Sequence, residues 1–460
     1  NNMSISQPVG MMADYMTQVR TSQLYNSVKD KFERIFKKIP RIGEPMTNRI
    51  ESLVERVRDI VLNVKTGVIF EEFGFKYLGP IDGHNLPMLM ASLRFAKQYP
   101  GPIMIHIKTV KGKGHQLAEE NPVKYHGVSP KPKENVVKPI SKPKFTQVFG
   151  EACVELAKKD PDIFVVTPAM ETGSGLVEYA QQFPDRYCDV GIAEEHAVTY
   201  CAGMARQGIK PILAIYSTFL QRGYDQLVHD VCIQKLPVIF ALDRAGLVGE
   251  DGPTHHGVLD INFMLPIPNL TILAPKDGTE LTDMVTWSTQ QNKPISIRFS
   301  KSEIPDQDGQ KRAVIQDGVA EVLLDSNVDK IDCLIIGVGS MAWPSYEAGL
   351  KCQEKGLNSI VINLRFIKPL DIETLITYAK RAKHIFVVEE GQLIGGVFSY
   401  ILSTLNLDIP RKSWHPISIP DEFVDHGKLS TLRNQYFLSA EGIFSEVSRV
   451  LNLETINEND

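Results

Sequence analysis

Asp189-Val190-Gly191-Ile192-Ala193-Glu194-Glu195-His196-Ala197-Val198 sets a pair of acids directly after a short extended run and at the head of a helix. Later positions on that helix, Ala202, Gly203 and Ala205, are small and allow close packing. Glu194 then sits at the helix mouth, where a carboxylate either complements the dipole of the N-terminus or faces a ligand and handles protons. Working outward, apolar runs at 163–166, 209–215, 236–242 and 295–298 alternate with helical stretches. Continuous apolar strands spaced by helices predict a parallel sheet covered on both faces. Polar and glycine residues cluster behind the strand ends: Tyr216-Ser217-Thr218-Phe219-Leu220-Gln221-Arg222-Gly223, then Asp243-Arg244-Ala245-Gly246, then Gly249-Glu250-Asp251-Gly252-Pro253-Thr254-His255-His256-Gly257.

The pattern repeats on either side. Downstream of Val314, strands are expected at 333–336, 359–362 and 384–388. Upstream, 67–80 and 102–107 read as strands around a helix, the tail of another α/β unit. Residues 129–144, rich in proline and lysine without hydrophobic period, read as an exposed linker. The expected organisation is an α/β chain of doubly wound sheets: an incomplete first domain (1–128), the linker, a second domain (145–310) and a third (311–460).

Composition narrows the function. The chain has 460 residues, 43% hydrophobic and 23% charged, the make-up of a globular protein of about three domains. A net charge of -5 argues against a nucleic-acid footprint, and no apolar run reaches the roughly 20 residues that a membrane span needs. Six scattered cysteines without a Cys-x-x-Cys pair read as reduced, small hydrophobes. Gly337-Val338-Gly339-Ser340-Met341-Ala342 imitates a dinucleotide fingerprint, but the next strand ends in Asn363-Leu364-Arg365 where an acid is wanted, so a tight strand-to-helix turn explains the glycines. His255 and His256 point to opposite faces of an extended chain and make a poor metal pair.

The ordered motifs around Glu194, Phe219, Arg244 and His255 resemble the pyrimidine-binding domain of thiamin-diphosphate enzymes of the transketolase group. Within that group the wording is similar to the 1-deoxy-D-xylulose-5-phosphate synthase family over almost the whole chain. The resemblance implies a three-domain transketolase-like fold, a homodimer, a cytoplasmic or plastid-stroma setting, and the cofactors thiamin diphosphate and Mg²⁺. It implies a transferase that condenses pyruvate with glyceraldehyde 3-phosphate, releasing carbon dioxide and feeding isoprenoid, thiamin and pyridoxal synthesis.

Residue by residue, the resemblance makes Glu194 the acid that contacts the aminopyrimidine ring and Phe219 the ring packed against it. His255 serves in proton transfer, and His126 lies near the pyruvate-derived carboxylate. Tyr216, Arg222, Arg244, Asp251 and Lys301 face the substrate, with Lys301 standing where the family more often has arginine. His115 occupies a cofactor-contacting position that is commonly tyrosine. Asn1 and the carbonyl of Met3 match two metal ligands, while the Gly-Asp-Gly that opens that motif would lie upstream of Asn1. The expectation is therefore a fragment with little activity of its own. Two alternatives stay open: a transketolase or 2-oxoacid dehydrogenase component, and a non-catalytic relic of the fold.

Overall fold

The computed structural model describes residues 67–123, 125–127, 142–405 and 413–453. They fall in two units divided between Glu134 and Asn135. Asn1 and Met3, the expected metal ligands, lie outside the described residues.

In the first unit, strand β1 (Lys76–Asp82) crosses through helix α1 (Leu86–Gln98) into β2 (Ile103–Lys108), which pairs with it in parallel. Asn85 caps α1 by accepting the Met88 N–H, and Pro87 occupies the first turn, where no amide bond is lost. The stretch 67–70, expected as strand, instead belongs to a helical turn, Val68–Glu72. A run as short as Val-Ile-Phe carries no period to choose between the two. Gly74, with φ of 83°, turns the chain before β1 begins.

The second unit opens with α2 (Phe145–Lys159), then β3 (Ile163–Thr167), β4 (Tyr187–Asp189), α3 (Glu194–Arg206), β5 (Lys210–Tyr216), β6 (Ile239–Asp243), β7 (Thr271–Leu273), α4 (Gly278–Ser288) and β8 (Ile295–Arg298). Next come β9 (Glu321–Asp325), β10 (Ile331–Gly337), α5 (Ala342–Glu354), β11 (Ser359–Asn363), β12 (Phe366–Lys368), β13 (Ala382–Gln392), α6 (Val397–Leu405), β14 (Trp414–Ile419), α7 (Leu429–Gln435) and α8 (Ala440–Leu451). The strands form a seven-stranded sheet in the order β12-β7-β8-β6-β5-β3-β4 and a five-stranded sheet in the order β14-β13-β10-β11-β9. Apolar side chains fill both faces of the larger sheet. Phe149 of α2 and Leu281 and Met284 of α4 pack with Ile212 and Ile297, while Val198 and Cys201 of α3 pack with Leu213 and Phe240. The same cluster continues into Ile336, Ile362 and Val387 of the smaller sheet, so the two sheets share a core.

The α/β architecture matches the sequence reading, but neither sheet is wholly parallel. β9 runs antiparallel to β11, and β12 runs antiparallel to β7. β12 thus leaves the sheet of its sequence neighbours to close the edge of the other one. An exposed edge strand is thereby covered. The glycines of 337–342 do make a tight strand-to-helix turn: a Cβ on Gly337 would lie 2.7 Å from the Cα of Ala342. Asn363, at the next strand end, donates to Glu280 and Glu321 rather than standing open to a ribose.

Candidate active site

Parallel strands gather chemistry at their carboxyl ends, where the following loops and helix N-termini converge. In the larger sheet β4 ends at Asp189, β5 at Tyr216, β6 at Asp243 and β8 at Arg298. Asp189 accepts from the N–H groups of Ala169 and Gly191 and so shapes the turn that delivers Glu194 to the first position of α3. Register pairs Tyr216 with Asp243 on adjacent strands.

Glu194 is 3% exposed, while the Arg222 side chain that donates to its Oε1 at 2.5 Å is 52% exposed. A buried carboxylate is costly unless it is paired, and the guanidinium reaches in from solvent to supply the partner. Gly223 permits the approach, since a Cβ there would sit 2.9 Å from Val198 on α3. The Arg222 guanidinium also lies over the Phe219 ring, 5.0 Å from its centroid.

Phe219 joins two more expected residues. Its ring stacks on Tyr216 at 5.8 Å and meets the edge of His255 at 5.3 Å. The Arg244 guanidinium lies 4.0 Å from the centroid of the Tyr216 ring. Burial raises the Tyr216 hydroxyl above its ordinary pKa, opposed by Arg244. Arg244 donates through Nη1 to the Gly173 carbonyl at 2.6 Å and pairs through the same atom with Asp243 at 2.8 Å. Asp243 is fully buried, and burial raises its pKa against the opposing pull of Arg244 and of the Thr146 hydroxyl that donates to it. Both contacts use one nitrogen of a planar fork built for bidentate binding.

Asp251 and Lys301 form an ion pair with each other. The Nδ1 of His255 is engaged with the Thr254 hydroxyl at 2.8 Å. The second unit therefore brings Glu194, Arg222, Phe219, Tyr216, Arg244 and His255 into one continuous series of contacts. His115 and His126 belong to the first unit. His115 caps the helix Gln116–Glu120 by accepting the Ala118 N–H and leans on Tyr125 at 5.4 Å. The N–H of His126 donates to the Val123 carbonyl.

Three positions carry parts that the sequence reading did not assign. Gly173 is required because a Cβ there would lie 1.8 Å from the Tyr216 hydroxyl. Thr146 and Asp243 orient Arg244 from beneath. The signal available was Thr172-Gly173-Ser174-Gly175, a small-residue turn beyond β3.

Comparison with known proteins bears on the whole chain. Residues 1–109 match the family model described as 1-deoxy-D-xylulose-5-phosphate synthase, 141–307 the transketolase pyrimidine binding domain, and 324–443 the transketolase C-terminal domain. The 1-deoxy-D-xylulose-5-phosphate synthase of Caldanaerobacter subterraneus subsp. tengcongensis is 42% identical over 447 residues, covering 96% of this chain and 70% of that protein. The chain belongs to the 1-deoxy-D-xylulose-5-phosphate synthase family. The Aquifex aeolicus member of that family is 41% identical over 456 residues, covering 98% of this chain and 70% of the relative. Among solved structures, a split-gene transketolase described as an inactive β4 tetramer aligns with a TM-score of 0.60 at 25% identity, over 68% of this chain and 99% of its own. A transketolase from Pichia stipitis shares the fold, with a TM-score of 0.56 at 16% identity over 68% of this chain and 47% of its own. As a member of the synthase family the protein is a transferase with a transketolase-like fold. No helix among the described residues is long and apolar enough to cross a membrane.

Proposed function

We propose that this protein condenses pyruvate with D-glyceraldehyde 3-phosphate to 1-deoxy-D-xylulose 5-phosphate and carbon dioxide, using thiamin diphosphate and Mg²⁺. The observation that carries the reading is the series Glu194, Arg222, Phe219, Tyr216, Arg244 and His255 at the carboxyl ends of β4, β5 and β6. The residues suit the aminopyrimidine end of the cofactor: a buried acid, an aromatic face, and beside Tyr216 the buried Ser217 hydroxyl without a hydrogen-bond partner. Glu194 would hold the aminopyrimidine and Phe219 would pack on it, and His115 would be a further cofactor contact. Asn1 and Met3 would bind the metal, as hard oxygen ligands.

When bound, thiamin diphosphate supplies the electron sink that lets pyruvate lose carbon dioxide. The chain's own residues do the rest. Glu194 would hold a proton at a nitrogen of the aminopyrimidine ring. Arg244 offers the unused arms of its fork to the acceptor's phosphate, with Arg222 and Lys301 adding positive charge. His255, with Tyr216 and Asp251, manages the proton at the acceptor's aldehyde oxygen. His126 faces the carboxylate of pyruvate.

The working form in this reading is a homodimer in a bacterial cytoplasm, as befits the bacterial relatives. Its support is the exposure of the apolar side chains Ile192, Ile233, Tyr200 and Tyr224. The full-length protein should form the phosphorylated product and carbon dioxide only when pyruvate, the aldehyde, thiamin diphosphate and Mg²⁺ are all supplied. Product formed without the cofactor, or none under full supplementation, would overturn the proposal. Sedimentation velocity reads the assembly state: a monomer at micromolar concentration would remove the dimer.

A further inference from the structure

His255 and His256 are adjacent and face apart. His255 meets Phe219, whereas His256 is buried in the opposite direction, toward the segment between β14 and α7. Its Nδ1 accepts the Val248 N–H at 3.0 Å, and its Nε2 lies 3.3 Å from the carbonyl oxygen of Asp425. An Nδ1 that accepts leaves the ring proton on Nε2, so a neutral imidazole satisfies both partners. Burial lowers the pKa of His256, in keeping with that form.

The surrounding backbone is close-fitting. The Gly427 N–H donates to the Gly249 carbonyl, and the N–H groups of His255 and His256 both donate to the Gly252 carbonyl. Gly252 has φ of 75°, and a Cβ on it would come within 3.1 Å of the Cβ of His426. The loop carrying Asp251 and His255 is thus seated on 425–427, with the His256 ring as a side-chain strut between them.

We propose that His256 is a positioning residue: its neutral ring ties the 249–255 loop to the 425–427 segment and thereby sets Asp251 and His255 in place for the phosphorylated aldehyde. The tether itself needs only the geometry above, whereas its consequence for the acceptor rests on the reaction proposed in the preceding section.

Three substitutions separate the two ends of the strut. Gln carries an amide nitrogen to about the place of Nε2, Asn offers an oxygen at about the place of Nδ1, and Leu offers neither. Amide hydrogen exchange on the protein without ligands should show near-native rates at 249–257 and 421–428 in His256→Gln. Rates there should be about tenfold faster in His256→Asn and His256→Leu, with exchange elsewhere unchanged. Should His256→Leu fail to fold, the Gln and Asn pair still decides. Equal rates in Gln and Asn would overturn the tether.

In steady-state assays with pyruvate, the KM for glyceraldehyde 3-phosphate should rise at least about fivefold in His256→Asn and stay near native in His256→Gln, with little change in the KM for pyruvate. A loosened loop with an unchanged acceptor KM would overturn the positioning role. A wild-type protein without turnover would instead count against the proposed reaction, and the exchange comparison would still decide the tether.

Discussion

Arg244 illustrates how a single residue carries several constraints. It sits with φ of 62°, immediately after a buried aspartate, with its guanidinium over the Tyr216 ring and one nitrogen committed to Asp243 and Gly173. Replacing it with alanine should raise the KM for glyceraldehyde 3-phosphate far more than that for pyruvate, by about 2–3 kcal/mol for a charge-assisted contact. Steady-state kinetics with each substrate varied in turn makes the check, and equal weakening of both would assign Arg244 a structural part only. The residues that touch one another here were legible because the ordered motifs that carry them resemble the transketolase group, with only the acid at the helix mouth standing out by itself. Thr146, Gly173 and Asp243 were not, because their importance lies in approach distances and in what stands beneath Arg244. The Asp251–Lys301 pair was likewise hidden, since fifty positions separate its members and only folding joins them.

At the scale of elements, the apolar strands could be read from composition, whereas three-residue strands and short apolar runs could not. β12 is Phe-Ile-Lys, too short to show alternation, and nothing local says that it pairs outside its own sheet. Gly67–Phe70 failed for the same reason.

Elements also hold charges that only the fold explains. Glu389, on β13, is fully buried and accepts from the Val397 and Phe398 N–H groups at the start of α6. Burial pushes its carboxyl up to about 7. A carboxyl whose folded pKa is raised adds stability below its unfolded value, near 4.5, and loses it as pH rises toward 7. The stability of the native protein relative to Glu389→Gln should therefore fall between about pH 4.5 and pH 7, by up to about 3 kcal/mol. Urea melts of both proteins across that range measure it, and a difference that does not vary with pH would refute the assignment.

Across the whole molecule, the second unit is tied together by more than surface contact. Phe366, on the crossing strand β12, is fully buried in the core of the larger sheet and meets Trp287 edge-on at 5.5 Å. A buried charge network spans the same junction: Lys276 reaches Glu321 at 2.9 Å and Glu280 at 3.4 Å, Asn363 donates to both acids, and the Arg365 guanidinium approaches Glu280 at 3.5 Å. Phe366→Ala should cost about 3–5 kcal/mol and lower the stability of both sheets together. Denaturant unfolding followed separately by fluorescence and circular dichroism would show coincident transitions, and a smaller sheet that kept its native midpoint would contradict the shared core.

The central claim is that the contacts centred on Glu194 form the thiamin-diphosphate site of a pyruvate–aldehyde condensation. The most direct measurement is the rate of 1-deoxy-D-xylulose 5-phosphate formation by the full-length protein and by its Glu194→Gln variant, each at saturating cofactor and Mg²⁺ and with melting temperatures compared. The account predicts a loss of at least about 10²-fold in the variant with the fold retained, and near-native product formation by Glu194→Gln would contradict it.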